Sequence, residues 1–232
     1  MLNILEVKTM NVGIVVAMER EIAPFLQKVN AKLEKINGFS VWNFLWEDKK
    51  VYVCISSVGE ICASAATQLL ISHFDARYIF NFGVVGSLRE EISLLSTMYV
   101  GEVVHYDMDT SSFGIPVGRY SIFDDVAIST NKQMIELAQK IAPLPVVRCA
   151  SADKFVDTKE DKNRLATQFG ADICDMESAG ILITCRLNNV PCLLVKAVSD
   201  SLTGGGKEFA QSCCQAATGY MNFITQLLGS LN

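Results

Sequence analysis

The feature that most constrains the fold of this chain is a regular alternation of strand-like and helix-like segments. Apolar runs such as VGIVVA (12–17) and YIFNFGVV (78–85) are typical of buried strands, and EREIAPFLQKV (19–29) is typical of a helix with acids in its first turn. The alternation continues with strands expected at 97–107, 145–152, 171–175 and 192–199, and helices expected from Gly59 to about His73, at 131–141, 158–168 and 177–188, and from about 208. No linker, repeat or low-complexity tract interrupts the series, so we expect one α/β domain.

Two further patterns describe the predicted sheet. The segments FSVWNFLWE and VYVCISS flank the turn EDKK and predict a hairpin, which makes the sheet mixed rather than wholly parallel. The strand, helix and strand from 171 to 199 are together long enough for a right-handed parallel crossover unit. In an open α/β sheet, ligands bind beyond the carboxyl ends of the strands, and a site is expected at this edge.

Composition limits the classes of partner. The 232 residues are 50% hydrophobic and carry a formal net charge of −5 with no basic run, which offers no footprint for nucleic acid or an anionic membrane. No apolar run approaches the roughly 18 residues of a membrane span, and Glu6 interrupts what would be the apolar part of a signal peptide. The eight cysteines show no CxxC spacing. We therefore expect a cytoplasmic protein with reduced thiols and a small-molecule ligand.

Carboxylates follow three of the predicted strands: Glu21, Glu177 and Asp200. Because ligand sites lie beyond strand ends, we expect these acids to face one crevice. Apolar side chains beside them could wall a flat base: Met18, Phe155 and Met176. The structural alternative is that two of the acids occupy favoured first turns of helices and the third caps a turn.

Seven motifs occur in order along residues 10 to about 228: AMEREI, SSVGEICASAAT, NFGVVGSL, DMDTSSFG, ADKFV, DMESAGI and KAVSD. In order and spacing this series resembles the 5'-methylthioadenosine/S-adenosylhomocysteine nucleosidases, within the purine nucleoside phosphorylase-like superfamily. The resemblance implies a single-domain, three-layer α/β sandwich over residues 10–232, with helices flanking a twisted mixed β-sheet, and makes residues 1–9 an N-terminal extension. It also implies a homodimer with no metal and no organic cofactor.

The resemblance implies catalytic roles for the three carboxylates. Glu21 resembles the acid that orients and deprotonates the attacking water. Glu177 resembles the carboxylate that holds the ribose hydroxyls, with Met176 against the sugar. Asp200 resembles the acid that protonates or hydrogen-bonds nitrogen 7 of adenine, supported by Ser199.

The other site residues implied by the resemblance are apolar. Phe155 and Val156 are similar to residues that stack on the base and read its edge through backbone groups. Phe113 resembles a residue that closes the 5'-substituent pocket of the neighbouring subunit. Met18 would wall the base, and Phe209 lies close to the expected 5'-group.

The chemistry of N-glycosidic cleavage independently needs such a set of groups. The reaction passes through an oxocarbenium-like sugar, and the base is a poor leaving group unless it is protonated. A general acid and a water-activating base each contribute roughly a hundred to ten thousand fold. Asp175, by contrast, has strand parity opposite to Met176, and we expect it to be a structural or turn-capping acid.

Some positions depart from the family pattern and keep alternatives open. Val84 stands where a serine is usual, Lys196 stands where an arginine is common, and the loop 201–207 lacks an aromatic residue. Three classes remain: a hydrolytic nucleosidase for methylthioadenosine and S-adenosylhomocysteine, a phosphate-dependent phosphorylase or a nucleosidase for another purine compound, and a binding protein without turnover. Glu21 and Val84 favour hydrolysis, whereas Lys196 and Arg20 favour phosphate. With only two histidines in the chain, no metal cluster is expected.

Overall fold

The computed structural model describes residues 9–231 and confirms an α/β fold in which helices flank a mixed β-sheet. The strands of the sheet are β1 (Met10–Val16), β2 (Lys32–Ile36), β3 (Phe39–Trp46), β4 (Lys49–Ile55), β5 (Tyr78–Ser87), β6 (Thr97–His105), β7 (Ile128–Ser129), β8 (Val146–Ser151), β9 (Ile173–Asp175) and β10 (Cys192–Asp200). The α-helices are α1 (Ala23–Lys28), α2 (Glu60–Phe74), α3 (Lys132–Ile141), α4 (Lys159–Phe169), α5 (Ser178–Leu187), α6 (Gly206–Met221) and α7 (Ile224–Gly229). Short 3-10 helices occur at Glu19–Glu21 and Ser111–Phe113.

The sheet combines a parallel centre with a closed ring of strands. β1 pairs in parallel with β4 and β5, and the antiparallel strands β3 and β2 extend the sheet beyond β4. β5 also pairs in parallel with β10, which pairs antiparallel with β6. β6 pairs in parallel with β8, β8 pairs in parallel with β9, and β9 returns antiparallel to β5. The strands β5, β10, β6, β8 and β9 therefore close into a ring.

Helices cover both faces of the sheet because its central strands are apolar on both sides. In β1, Val12, Ile14 and Val16 pack in one core with α6 and α7, whereas Val15 packs in a second core with α2 and α5. β5 and β10 divide their side chains in the same way. Strands buried on both faces have continuous apolar sequences, which explains why their positions are predictable. One core lies between the sheet and the helices α6 and α7, and the other lies between the sheet and the helices α2 and α5. This arrangement gives the three layers that the family resemblance implies.

The parallel unit predicted from 171 to 199 is wrong. β9 runs antiparallel to β5, whereas β10 runs parallel to β5, so β9 and β10 point in opposite directions. β9 has only three residues and pairs in parallel with β8 along its other edge. The rule that crossovers between parallel strands are right-handed therefore does not apply to β9, α5 and β10.

Other departures from the sequence prediction have local causes. The helix expected at 19–29 begins as a 3-10 turn and restarts as α1, because Pro24 has no N–H to join a continuous helical ladder. The run KLEKI forms β2 although it gives no strand signal, since nearly all of it is exposed and it lacks apolar alternation. β7 is too short to produce a pattern, and the closing helix divides at Asn222 and Phe223 into α6 and α7.

The N-terminal extension expected at residues 1–9 lies outside the described residues except for Thr9, and it stays a prediction. Within residues 9–231, no helix has both the length and the apolar character needed to cross a bilayer.

Candidate active site

Strand ends converge at the C-terminal part of β5. Gly86 in β5 pairs with Cys174 of β9 on one side and with Asp200 of β10 on the other. A Cβ atom on Gly86 would stand 2.9 Å from Asp200 Oδ2, so the glycine leaves room for that carboxylate. A cavity of about 330 Å³ opens at this point.

The cavity brings together nine of the ten residues that the sequence analysis assigns to a site: Met18, Glu21, Phe155, Val156, Met176, Glu177, Ser199, Asp200 and Phe209. The three predicted carboxylates therefore face one crevice. The exception is Phe113, which is 82% exposed on the second 3-10 turn and does not line the cavity. Its place in the pocket of a neighbouring subunit stays a prediction.

Glu21 is buried and is held by two backbone amides. The N–H of Met18 donates to Oε2 at 2.7 Å, and the N–H of Val84 donates to Oε1 at 3.1 Å. Burial raises the pKa of Glu21, although both amides and the Lys196 ammonium act to lower it. A positioned carboxylate with a raised pKa is suited to accept a proton from water near neutral pH.

Glu177 follows β9 and is also buried. The N–H of Gly59, immediately before α2, donates to Glu177 Oε1 at 3.1 Å. Burial raises the pKa of Glu177 to about 7, with the carboxylate of Asp175 adding to the rise and Lys196 opposing it. The side chain can accept hydrogen bonds from ligand hydroxyls once it is ionised.

Asp200 is fixed at the end of β10 by Lys162, a fully buried lysine of α4. The Lys162 ammonium lies 2.6 Å from Asp200 Oδ2 and also donates to the carbonyl oxygens of Ser201 at 2.6 Å and Gly204 at 3.0 Å. The Ser199 hydroxyl donates to Asp200 Oδ1 at 3.0 Å. Burial raises the pKa of Asp200, and Lys162 opposes that rise. Asp200 is therefore a buried acid that two neighbouring side chains orient.

Asp175, which lines the cavity, forms a buried ion pair with Lys196, with 2.7 Å between Lys196 Nζ and Asp175 Oδ2. Burial alone would raise the pKa of Asp175, but Lys196 and the hydroxyls of Ser151 and Ser178 outweigh it and hold the pKa below its usual value. The N–H of Ser178 donates to Asp175 Oδ1 at 3.3 Å, which caps the amino end of α5. Asp175 is therefore a capping acid, as the sequence analysis expects, and it neutralises Lys196. Strand parity does not separate it from Met176, because both residues line the cavity.

Comparison with known proteins identifies the family. The sequence pattern described as the phosphorylase superfamily matches residues 11–228. The chain belongs to the phosphorylase superfamily. It is 29% identical over 197 residues to the aminodeoxyfutalosine nucleosidase of Helicobacter pylori strain J99, covering 82% of this chain and 85% of that protein. It is 28% identical over 200 residues to the 5'-methylthioadenosine/S-adenosylhomocysteine nucleosidase of Shewanella loihica, covering 83% of this chain and 86% of that protein.

A solved structure agrees with this membership of the phosphorylase superfamily. The 5'-methylthioadenosine/S-adenosylhomocysteine nucleosidase of Helicobacter pylori with butyl-thio-DADMe-Immucillin-A matches with a TM-score of 0.91 and 27% identity, over 97% of this chain and 100% of that chain. Within the superfamily, the chain is thus grouped with nucleosidases by both sequence and structure.

Two buried charged residues of this superfamily member escape prediction from the sequence. Lys162 lies in the polar run KEDKNR, which is typical of an exposed helix face, yet it shares one buried stripe with Leu165, Ala166 and Phe169. The spacing of these four residues, i, i+3, i+4 and i+7, is the signal that marks Lys162 as buried. Glu60 is typical of a helix first turn and gives no comparable signal, although it is only 5% exposed.

One wall of the cavity carries a cation. The rings of Phe155 and Phe209 meet edge to face with centroids 5.6 Å apart, and the Arg20 guanidinium lies 5.3 Å from the Phe209 centroid. Arg20 itself is exposed, and within residues 9–231 no carboxylate lies at ion-pair distance from it. This wall therefore offers aromatic surface together with a positive charge.

Proposed function

We propose that this protein hydrolyses the N-glycosidic bond of 5'-methylthioadenosine and S-adenosylhomocysteine and releases adenine. The observation that supports this most directly is the convergence of Glu21, Glu177 and Asp200 in one cavity. The apolar side chains around these acids suit a flat base and raise the pKa values of the carboxyl groups.

Each carboxylate has surroundings that support a separate role. Glu21 takes a proton from the attacking water while the water oxygen bonds to C1' of the ribose. Asp200 acts in its protonated form, which burial favours, and gives that proton to nitrogen 7 while the bond from C1' to nitrogen 9 breaks, so that adenine leaves as a neutral molecule. Glu177 accepts the ribose hydroxyls, and its negative charge stabilises the oxocarbenium-like sugar.

The apolar residues would bind the base and the sugar. Phe155 is 40% exposed in the cavity wall, and a stacked adenine would cover that surface. Met176 precedes Glu177 and lines the same cavity, which supports a contact with a sugar held by Glu177. Val156 and Ser199 also line the cavity and are buried, and the Ser199 hydroxyl orients Asp200.

Charge favours hydrolysis over attack by phosphate. Lys196, which could have attracted phosphate, is paired with Asp175 at 2.7 Å. The backbone amide of Val84 already donates to Glu21, and the Val84 side chain has no donor. A phosphate placed near Glu21 would be repelled by its carboxylate, whereas water would be activated by it.

The second candidate substrate is aminodeoxyfutalosine, which appears in the names of the relatives from Helicobacter pylori and Campylobacter jejuni. The exposed guanidinium of Arg20 beside Phe209 favours a substrate whose 5'-substituent carries a negative charge over methylthioadenosine, and S-adenosylhomocysteine, with its carboxylate, shares this advantage. We further propose that the enzyme acts as a cytoplasmic homodimer in which Phe113 closes the pocket of the neighbouring subunit.

The test is the release of adenine from methylthioadenosine, S-adenosylhomocysteine and aminodeoxyfutalosine, each with and without phosphate. We expect the first two substrates to be cleaved at rates that phosphate does not change, with free methylthioribose formed from methylthioadenosine. Formation of a sugar 1-phosphate would contradict hydrolysis. A kcat/KM about a hundredfold higher for aminodeoxyfutalosine would assign the enzyme to that substrate instead.

A further inference from the structure

A buried serine hydroxyl links two carboxyl groups outside the three proposed catalytic acids. Ser151 Oγ, at the end of β8, lies 2.5 Å from Glu60 Oε1 and 2.5 Å from Asp175 Oδ1. The N–H of Ala179 also donates to Ser151 Oγ, at 3.2 Å. All three oxygen-bearing side chains are buried. The proton positions in this cluster are set by the number of donors available.

A serine hydroxyl has one hydrogen to donate and two lone pairs to accept hydrogen bonds. Ala179 occupies one lone pair of Ser151, so Ser151 can donate to one carboxyl group and accept from the other. Asp175 is the ionised acceptor, because it receives the Lys196 ammonium at 2.7 Å and the Ser178 hydroxyl at 2.5 Å. The remaining contact is satisfied only if Glu60 Oε1 carries a proton and donates it to Ser151.

The other oxygen of Glu60 fits the same protonation state. Glu60 Oε2 accepts the backbone N–H of Gly180, as the carbonyl oxygen of a carboxylic acid does. A neutral Glu60 therefore has a partner for each of its polar atoms. An ionised Glu60 would face the lone pair of Ser151 and the charge of Asp175, without a cation of its own at ion-pair distance in the described part of the chain.

The charged groups around Glu60 come from several elements. Asp175 of β9 and Glu177 disfavour its ionisation, and burial is the largest influence, so that the pKa of Glu60 is raised to about 8. Lys196 of β10 is paired with Asp175, and Asp153, after β8, accepts the backbone N–H of Glu60 at 2.7 Å. Tyr120 is a further titratable neighbour, and burial and the Glu60 carboxylate both raise the pKa of its phenol.

Glu60 also joins the two helix ends that flank Glu177. It is the first residue of α2, and its side chain binds Gly180 in the first turn of α5. A Cβ atom on Gly180 would collide with the backbone carbonyl oxygen of Glu60 and would stand 2.9 Å from Glu60 Oε2, so the glycine permits this close approach of α2 and α5. The residue before Glu60, Gly59, donates its N–H to Glu177 and has a φ of 109°, a conformation that favours glycine.

We propose that Glu60 is held as a neutral carboxylic acid and positions Gly59 against Glu177, so that loss of its proton weakens ribose binding. Glu60 is a positioning residue and touches no reacting atom. The inference about ribose binding rests on the proposed function, whereas the protonation state of Glu60 does not.

The decisive variant is Glu60→Gln, because a neutral amide can donate to Ser151 and accept from Gly180. We expect its kcat/KM near pH 7 to stay within about threefold of wild type, since it keeps both contacts. From about pH 7 to about pH 9, on either side of the pKa of Glu60, the KM of wild type divided by the KM of Glu60→Gln should rise about fivefold or more, because ionisation of Glu177, whose pKa is about 7, affects both proteins alike. Glu160→Gln, an exposed acid in the first turn of α4, is the matched control and should behave as wild type.

A measurement without substrate separates this proposal from the proposed function. The infrared difference spectrum between wild type and Glu60→Gln, recorded near pH 7, should contain the C=O stretch of a neutral carboxylic acid. The difference between wild type and Glu160→Gln should lack this band. A carboxylate band in the Glu60 difference spectrum, a Glu60→Gln variant that fails to fold, or equal alkaline rises in KM would each overturn the proposal.

Discussion

Replacement of Lys162 by methionine should destabilise the protein far more than replacement of an exposed lysine in the same helix. Lys162 is fully buried, and its ammonium binds Asp200 at 2.6 Å and two carbonyl oxygens. Removal of one partner of a buried ion pair costs about 3–5 kcal/mol, because the other charge is left without compensation. Asp200 can limit the loss by taking up a proton, so we expect Lys162→Met to lower the free energy of unfolding by about 3 kcal/mol.

Urea unfolding followed by the fluorescence of Trp42 and Trp46 measures this loss. Lys159→Met is the matched control, because the ion pair of Lys159 with Glu90 is exposed and should contribute about 1 kcal/mol or less. In the double variant Lys162→Met/Asp200→Asn no charge is left unpaired. Its loss of unfolding free energy should therefore be about 1–3 kcal/mol smaller than the sum of the losses of the two single variants. Equal losses for Lys162→Met and Lys159→Met, or strict additivity in the double variant, would refute the reasoning.

Further predictions concern the other residues of the cavity. Glu21→Gln should lower turnover of methylthioadenosine by roughly a hundred to ten thousand fold and leave ligand affinity largely intact, as measured by turnover and by calorimetric titration of a non-hydrolysable analogue; near-normal turnover would remove Glu21 from the mechanism. Arg20→Gln should raise the KM of S-adenosylhomocysteine, which carries a carboxylate, by up to about fivefold at low salt and leave the KM of methylthioadenosine unchanged; equal effects on both substrates would argue against a charge contact. Sedimentation should show a dimer, and Phe113→Ala should raise the KM of methylthioadenosine more than that of adenosine; a monomer, or equal effects, would show that this loop does not serve the 5'-pocket.

The parts of the fold that follow from the sequence are those set by apolar periodicity. β1, β5 and β10 are buried on both faces, so their apolar runs locate them without knowledge of their neighbours. The direction of β9 depends on its pairing with β5 and β8, which three residues do not encode. β2 is an exposed strand whose position follows from its pairing with β3 rather than from its own side chains.

The candidate site divides in a similar way. Glu21, Glu177 and Asp200 are recognisable because each carboxylate follows a strand, and the structure places all three at one cavity. Lys162 and Glu60 are harder to predict, because a lysine in a polar helix and an acid in a helix first turn both suit exposed positions. Their burial depends on groups distant in sequence, the carboxylate of Asp200 for Lys162 and the hydroxyl of Ser151 for Glu60.

In the proposed mechanism Asp200 acts on the leaving group while Glu177 acts on the sugar. The most direct test compares methylthioadenosine with a nitrophenyl riboside, whose leaving group departs without protonation, in wild type, Asp200→Asn and Glu177→Gln. We predict that Asp200→Asn slows hydrolysis of methylthioadenosine by roughly a hundred to ten thousand fold and affects the nitrophenyl riboside much less. Glu177→Gln should slow both substrates, because both need the oxocarbenium-like sugar to be stabilised. An equal loss on both substrates in Asp200→Asn would contradict the assignment and leave Asp200 as a structural residue.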